Sequence, residues 1–391
     1  MKKIAILGEG VTGKAIAKKL PEIGLIQTSI EEADLIVTSP GIPPNQFPQT
    51  SKEIISEIEF AYRWFQTQPK PPVIIGITGT NGKSTVTALL AHILDAPSLG
   101  NIGIPLVSFL GQEAPVLVVE LSSYQLECCT QFRPDIGVIL NITPDHLERH
   151  GTMEAYAAQK AKLFQSQTHS DTLIYNEADP LLLSLVADAQ SQKIAFSRHH
   201  PLWEHLNHLP IVGDHNKLNA LAAFLAAEAY GMKAEAISPK LFTFKPLEHR
   251  IEPVVVWKNR SFYNDSKGTN PDSTMVAVKA FSDPVHLILG GKDKGLELDE
   301  FLNFLTTHVN SVCVYGEIGP RVFQALQAMA PGYPTYLFSE LNQALEKSVS
   351  LSQEGEVILF SPACSSFDQF RDFNHRGDVF KFLVGQAYGN A

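Results

Sequence analysis

Cysteine is scarce in this chain: there are four in 391 residues, at Cys128, Cys129, Cys313 and Cys364. None belongs to a CxxC pair or to a Cys/His set with zinc spacing, which excludes a disulfide-stapled scaffold and a zinc module and predicts reduced thiols in a reducing compartment. Long hydrophobic runs are missing too. The longest candidate, 220–232, is interrupted by Glu228 and Gly231 and falls short of the ~20 apolar residues of a membrane span. The opening MKKIAILGEG reaches glycine and glutamate after four apolar residues, too soon for a signal-peptide core, so the expected location is the cytoplasm, with no membrane partner. Positive charge is in deficit, with 31 Lys and Arg against 41 Asp and Glu and a formal net charge of −10. No basic patch offsets it, which argues against a nucleic-acid partner while leaving room for a small anion held by local dipoles.

What is present is ordinary globular composition, 44% hydrophobic and 18% charged, with 26 Gly and 25 Pro, which excludes disorder and fibrous repeats. At roughly 100–200 residues per domain the length predicts two to four domains, in a chain taken by default as a monomer. Short apolar strands recur before Gly-rich turns and helical stretches: 3–7, 73–78, 116–121, 136–141, 287–289, 312–315 and 357–360. Strands alternating with helices predict the α/β class, with parallel sheets covered on both faces. The run Gln66-Thr-Gln-Pro-Lys-Pro-Pro72 cannot continue a helix. A second break lies at Lys245-Pro-Leu-Glu-His249, after an alanine-rich helix over 219–230 and before a strand over 251–257. The expected units are 1–70, 71–246 and 247–391.

The strongest motif is Gly76-Ile-Thr-Gly79-Thr80-Asn81-Gly82-Lys83-Ser84-Thr85, between a strand and an amphipathic helix. Its glycines let backbone N–H groups curl around phosphate, the helix dipole favours the anion, Lys83 reaches the β/γ-phosphates and a hydroxyl can meet Mg²⁺. It departs from GxxxxGK[ST], since Ile77 stands where the first glycine would be. Such a loop fits a switch, a kinase or a ligase, and its neighbours must decide. Glu120 ends a strand, where a carboxylate faces the ligand crevice and can hold Mg²⁺. His146 follows the next strand; alone, it reads as a loop histidine making a structural hydrogen bond.

The order GTNGKST, Asn101-Ile-Gly-Ile-Pro, ELSSYQLE, NITPDHLERHG and Tyr156-Ala-Ala-Gln-Lys160 resembles the Mur ligase superfamily, whose members join an amino acid to a carboxylate using ATP. The resemblance continues through Gly213-Asp-His-Asn216-Lys-Leu-Asn219, Glu248-His-Arg250, Asn264-Asp265-Ser-Lys267-Gly-Thr269-Asn270, LGGKDK and SPACSSFDQF, covering about residues 70–380. Within the superfamily, NDSKGTN and SPACSSFDQF are most similar to the members that add D-glutamate to UDP-N-acetylmuramoyl-L-alanine in peptidoglycan precursor synthesis.

The resemblance implies a carboxylate attacking the γ-phosphate of ATP, then an amine displacing phosphate from the acyl phosphate. Phosphoryl transfer is mostly positioning and charge neutralisation. It implies Gly79 to Thr85 around the phosphates, Ser84 and Glu120 on one Mg²⁺, and His146 with a carbamylated Lys160 at a second. Without the family, Lys160 reads as a solvated helix lysine; carbamylation requires a neutral amine. Asn216, Asn219, Arg250 and Asp265 match adenine- and ribose-side positions on both sides of the second break, which predicts closure of the third unit over the nucleotide. For D-glutamate the matching residues are Lys267, Thr269, Lys294, Ser366 and Phe373. By themselves, Ser366 could cap a turn and Phe373 could be a core aromatic.

The first unit opens Gly8-Glu-Gly10-Val-Thr-Gly13, a GxGxxG with Glu31 and Glu32 about 20 residues on. Taken alone this fits a nicotinamide-dependent oxidoreductase, although about 70 residues are too few for two mononucleotide halves. In the resembled family the turn grips the diphosphate of the UDP-sugar, with Val11, Thr12, Ser39 and Asn101 on the substrate side and Ser39-Pro-Gly-Ile-Pro43 as a second loop. The stretch between the first helix and Ile36 is short for the family, which puts the uracil-framing residues in question. A folylpolyglutamate synthetase-like ligase or a non-catalytic ATP-binding protein remain the other readings.

Overall fold

The structure, a computed structural model, describes residues 2–389 except 294 and 296. The strands are β1 (Lys3–Leu7), β2 (Ile26–Gln27), β3 (Leu35–Thr38), β4 (Ile54–Ser56), β5 (Val73–Thr78), β6 (Ser98–Gly100), β7 (Val116–Glu120), β8 (Ile136–Ile139), β9 (Thr172–Asn176), β10 (Gln192–Phe196), β11 (Glu252–Trp257), β12 (Arg260–Asn264), β13 (Val285–Gly290), β14 (Ser311–Tyr315), β15 (Thr335–Leu337) and β16 (Val357–Phe360). They form three sheets, ordered β2-β1-β3-β4, β10-β9-β8-β5-β7-β6 and β11-β12-β16-β13-β14-β15. Among the described residues, every pairing between these strands is parallel except β11 with β12. The class is therefore the expected α/β one. The central strands β7, β8, β14 and β16 are buried along their whole length, which is why they read as unbroken apolar runs: helices cover both faces.

The chain forms two compact units, 1–208 with 217–244, and 209–216 with 245–391. The first unit holds the first two sheets. One apolar cluster runs through it, joining Ile4, Ile16 and Val37 to Leu106, Leu117 and Leu163. The helix Glu57–Phe65 binds the two sheets with polar pins as well. Glu57 Oε1 accepts from the Val107 N–H at 2.5 Å, and the Glu59 carboxylate accepts from the N–H groups of Gln131 and Phe132 at 3.0 and 2.9 Å and from Arg63 Nε at 2.7 Å. Buried acids persist only with such donors. The proline-rich run 66–72 is irregular and leads from this helix into β5.

The alanine-rich helix starts earlier than its composition marked, covering Asp214–Ala229. In the second unit, β11 and β12 form a hairpin at the edge of an otherwise parallel sheet. No described helix is long and apolar enough to cross a membrane.

Candidate active site

β5 ends at Thr78, and the chain turns through Gly79 and Gly82 into the helix Lys83–Leu94. Gly82 has φ 90°, in the left-handed region, and a β-carbon there would press on the Asn219 side chain, so glycine is required. Ser56, Ser122 and Thr152 cap the helices that follow them with their side chains; Gly82 offers none. The positive end of the dipole of this helix favours an anion at its start. The segment after β8 shapes the loop. Asn141 accepts from the Asn81 N–H at 2.8 Å and donates to its carbonyl at 3.0 Å, and Thr80 Oγ1 lies 3.2 Å from the Tyr156 hydroxyl.

Two lysines close on this loop. Lys83 Nζ donates to the carbonyls of Gly79 and Thr80 at 2.9 and 2.8 Å, and Lys160 Nζ donates to Gly79 at 2.8 Å. Lys160 is 1% exposed, which overturns the solvated reading of a helix lysine. Burial, and next the charge of Lys83, hold its ammonium well below the usual lysine range. Its Nζ lies 4.7 Å from the centre of the Tyr156 ring.

Glu120 ends β7 and is 2% exposed. Its Oε1 accepts from Asn101 Nδ2 at 2.8 Å, whereas Oε2 is buried without a hydrogen-bond partner among the described residues. An orphaned carboxylate oxygen is costly unless a cation meets it. A carboxylate and the buried Ser84 hydroxyl are the hard oxygen donors that Mg²⁺ takes, so these residues fit that ion. His146 stands apart from a ready metal set. Its backbone is left-handed at φ 55°, its ring rests 4.9 Å from that of Tyr124, and its nitrogens lie 3.5 Å from the carboxylates of Asp145 and Glu148. Among the described residues no three His, Cys, Asp or Glu side chains surround a common ion position.

In the first sheet, the turn after β1 brings Gly8 against Ser39, which follows β3 and whose buried Oγ has no partner among the described residues. Val11 and Thr12 begin the helix Val11–Glu22, and Val11 is 72% exposed. Asn101, by contrast, is engaged with Glu120.

In the second unit, Asp265 is buried. Its Oδ2 accepts from Ser361 Oγ at 2.7 Å and its Oδ1 from the Ile251 N–H at 3.2 Å, yet desolvation pushes its carboxyl up to about 7. The positive charge of Arg250 acts in the opposite direction. Lys267 Nζ lies 3.6 Å from the centre of the Phe373 ring, so these two candidates meet in a cation–π contact. Thr269 is half-buried, just before the cap of the helix Pro271–Val278. Ser366 is buried, its carbonyl accepting from the Phe370 N–H at 2.9 Å, and Asn216 Nδ2 donates to the Val212 carbonyl at 2.8 Å. Lys294 lies outside the described residues.

The sequence reading missed Arg376, which is fully buried. Its guanidinium donates to Ser266 Oγ at 3.0 Å, the Ser266 carbonyl at 2.7 Å and the Cys364 carbonyl at 2.9 Å. It ties the NDSKGTN and SPACSSFDQF segments together from beneath. Its own neighbours in sequence carry no signal of this, because all its partners are remote.

Fold and loop define the class: an α/β protein whose central parallel sheet carries a strand–glycine loop–helix turn at one edge. Residues 77–206 match the Mur ligase middle domain and residues 249–364 the Mur ligase, glutamate ligase domain. The chain is 35% identical over 451 residues to the UDP-N-acetylmuramoylalanine--D-glutamate ligase of Thermoanaerobacter pseudethanolicus, covering 98% of each chain. It is 37% identical over 388 residues to that of Pelotomaculum thermopropionicum, covering 90% of this chain and 84% of the relative. The fold is shared with the MurF ligase of Thermotoga maritima, solved in complex with ADP, at a TM-score of 0.66 and 14% identity over 98% of this chain and 95% of that one. The chain belongs to the Mur ligase family.

Proposed function

We propose that this protein is an ATP-dependent ligase that joins D-glutamate to UDP-N-acetylmuramoyl-L-alanine in the cytoplasmic synthesis of peptidoglycan precursors, acting as a monomer. The observation that carries the proposal is the convergence of Lys83 and Lys160 on the Gly79 carbonyl, in a chain whose near full-length relatives bear that activity as their name. On this reading residues 1–70 hold the UDP-sugar in a Rossmann-like turn, 71–246 form a P-loop ATPase-like domain, and 247–391 form a Rossmann-like domain for the amino acid.

The alanyl carboxylate attacks the γ-phosphorus, the bond to the β-phosphate oxygen breaks, and ADP leaves an acyl phosphate. The D-glutamate amine then adds to the acyl carbon, phosphate departs with the electron pair of its C–O bond, and the amine loses a proton. Lys83 exchanges its loop carbonyls for the β/γ-phosphates and neutralises the charge that builds there, while the loop N–H groups orient them. Ser84 and Glu120 are the residues that would hold one Mg²⁺, and His146 with a carbamylated Lys160 a second; Mg²⁺ supplies charge neutralisation of the triphosphate. Lys160 as an ammonium would have donors alone, whereas its carbamate would present anionic oxygens to a cation. Lys267, Thr269, Lys294, Ser366 and Phe373 are assigned to D-glutamate, whose two carboxylates call for cations and hydroxyl donors.

Phosphate release from ATP and UDP-N-acetylmuramoyl-L-alanine, screened over L-alanine, D-glutamate, L-glutamate and diamino acids, tests the proposal. Release with D-glutamate alone is the expected result. Release with another amino acid reassigns the substrate, and release with none points to a binding protein.

A further inference from the structure

One side chain joins the loop after β3 to the segment that carries His146. Arg149 lies in the short helix Leu147–His150 and is mostly buried. Its guanidinium grips the Glu127 carboxylate with both arms, Nε to Oε1 at 3.1 Å and Nη2 to Oε2 at 2.6 Å. The same Nη2 points to the carbonyls of Ile42 at 3.2 Å and Pro40 at 3.4 Å. Its flat face lies 4.5 Å from the centre of the Tyr124 ring, which in turn packs on the rings of His146 at 4.9 Å and His150 at 5.5 Å. His150 continues the stack to Tyr156 at 5.3 Å, and Tyr156 reaches Thr80 of the phosphate loop.

The loop 39–43 has little else to fix it against this stack. Two of its five residues are prolines, which have no N–H to give, and its own turn bond runs from the Ile42 N–H to the Ser39 carbonyl at 3.1 Å. A polar cavity lined by Gly41, Pro43, Tyr124, Glu127, Glu148 and Arg149 opens at the junction. Glu127 cancels the arginine's charge and fixes its plane, leaving the second hydrogen of Nη2 aimed at the loop. A lysine in its place keeps the charge but loses both the two-armed grip and the stacked face.

We infer that Arg149 is a positioning residue for the sugar-nucleotide substrate: through Glu127 and Tyr124 it sets where the loop 39–43 stands relative to His146. The inference rests on the reading of that loop as the substrate loop. It concerns binding of one of three substrates, because the guanidinium touches neither the phosphate loop nor any residue assigned to the amino acid.

The test uses the full chain with R149K, R149A and E127Q, titrated with UDP-N-acetylmuramoyl-L-alanine by calorimetry and assayed for the KM of each substrate in phosphate release. R149K and R149A are expected to weaken sugar-nucleotide binding, and to raise its KM, by about tenfold or more, with the KM values of ATP and D-glutamate nearly unchanged. E127Q, which keeps the volume and releases the arginine, should shift the same KM in the same direction. If R149A fails to fold, R149K and E127Q decide. Wild-type affinity in R149K, or three KM values moving together with a fall in unfolding midpoint, overturns the inference while leaving the activity standing. Failure of the wild-type chain to bind the sugar nucleotide overturns the reading of the loop itself, and the inference with it.

Discussion

Lys83 and Lys160 donate to one acceptor, the carbonyl oxygen of Gly79, at 2.9 and 2.8 Å. Lys83 stands on the helix after β5, and Lys160 on the helix Met153–Gln165 after β8. Two amines at one carbonyl, one of them almost fully buried, are electrostatically costly unless phosphate or a modification changes the charge balance. Lys83→Met should therefore lower phosphate release by about 10²–10³-fold, the cost of losing a preorganised charge donor, while sugar-nucleotide binding measured by calorimetry stays close to wild type. Carbon-13 NMR of protein held in labelled bicarbonate should show a protected carbamate in the wild type that disappears in Lys160→Met. A wild-type spectrum without that signal removes the carbamate from the mechanism.

Glu120 makes a prediction of opposite sign for stability and activity. Its Oε2 is buried with no partner among the described residues, while Oε1 is held by Asn101. Glu120→Gln keeps the acceptor for Asn101 and removes the stranded charge, so the metal-free variant should unfold at an equal or higher temperature than metal-free wild type. The same change should raise the Mg²⁺ concentration needed for half-maximal phosphate release. A variant that loses stability without Mg²⁺ would show that the carboxylate is held by protein donors and has no need of a cation.

Burial pushes the Glu57 carboxyl up to about 7, from an ordinary value of 4.5, with the Val107 N–H as its opposing donor. The folded chain then holds a proton that the unfolded chain releases. The stability this supplies is complete below the ordinary value and is lost as pH rises towards about 7, a change on the order of 3 kcal/mol. Glu57→Gln should be more stable than wild type at about pH 8 and nearly equal to it at about pH 5, as read from urea midpoints. Asp265, also pushed up to about 7 by burial, contributes to the wild-type slope with the same sign, so the difference between the two proteins isolates Glu57. Parallel midpoints at both pH values would mean that Glu57 ionises normally.

How far the sequence carried the fold depended on how local each signal was. The strand β5, the glycine loop and the helix after it lie within 22 residues, 73–94, and their pattern is complete in that window. The hairpin of β11 and β12 went unread for a local reason. Its turn residues, Lys258 and Asn259, take left-handed φ values of 46° and 58°, a conformation whose usual mark is Asn-Gly or Asp-Gly. Long-range pairs were out of reach altogether. Arg376 meets Ser266 across 110 residues, and Glu59 meets Phe132 across 73. Neither pairing falls within the span of a local pattern. The burial of Lys160 was hidden in the same way, and only its family motif marked it.

The first-sheet turn separates packing from binding within one motif. A β-carbon on Gly13 would overlap the Gly8 carbonyl oxygen, so this glycine exists to let the helix Val11–Glu22 approach β1. Gly10 has an ordinary φ of −71° and open space where its β-carbon would stand. Packing gives no reason for a glycine there, whereas close approach of a diphosphate to the backbone does. Gly13→Ala should then cost about 1–3 kcal/mol or more of stability, seen as a lower unfolding midpoint with or without ligand. Gly10→Ala should unfold like wild type and yet bind UDP-N-acetylmuramoyl-L-alanine about tenfold or more weakly. The contrast is what matters: if Gly10→Ala binds the sugar nucleotide as wild type does, the diphosphate does not sit on this turn, and the first sheet must hold its ligand elsewhere.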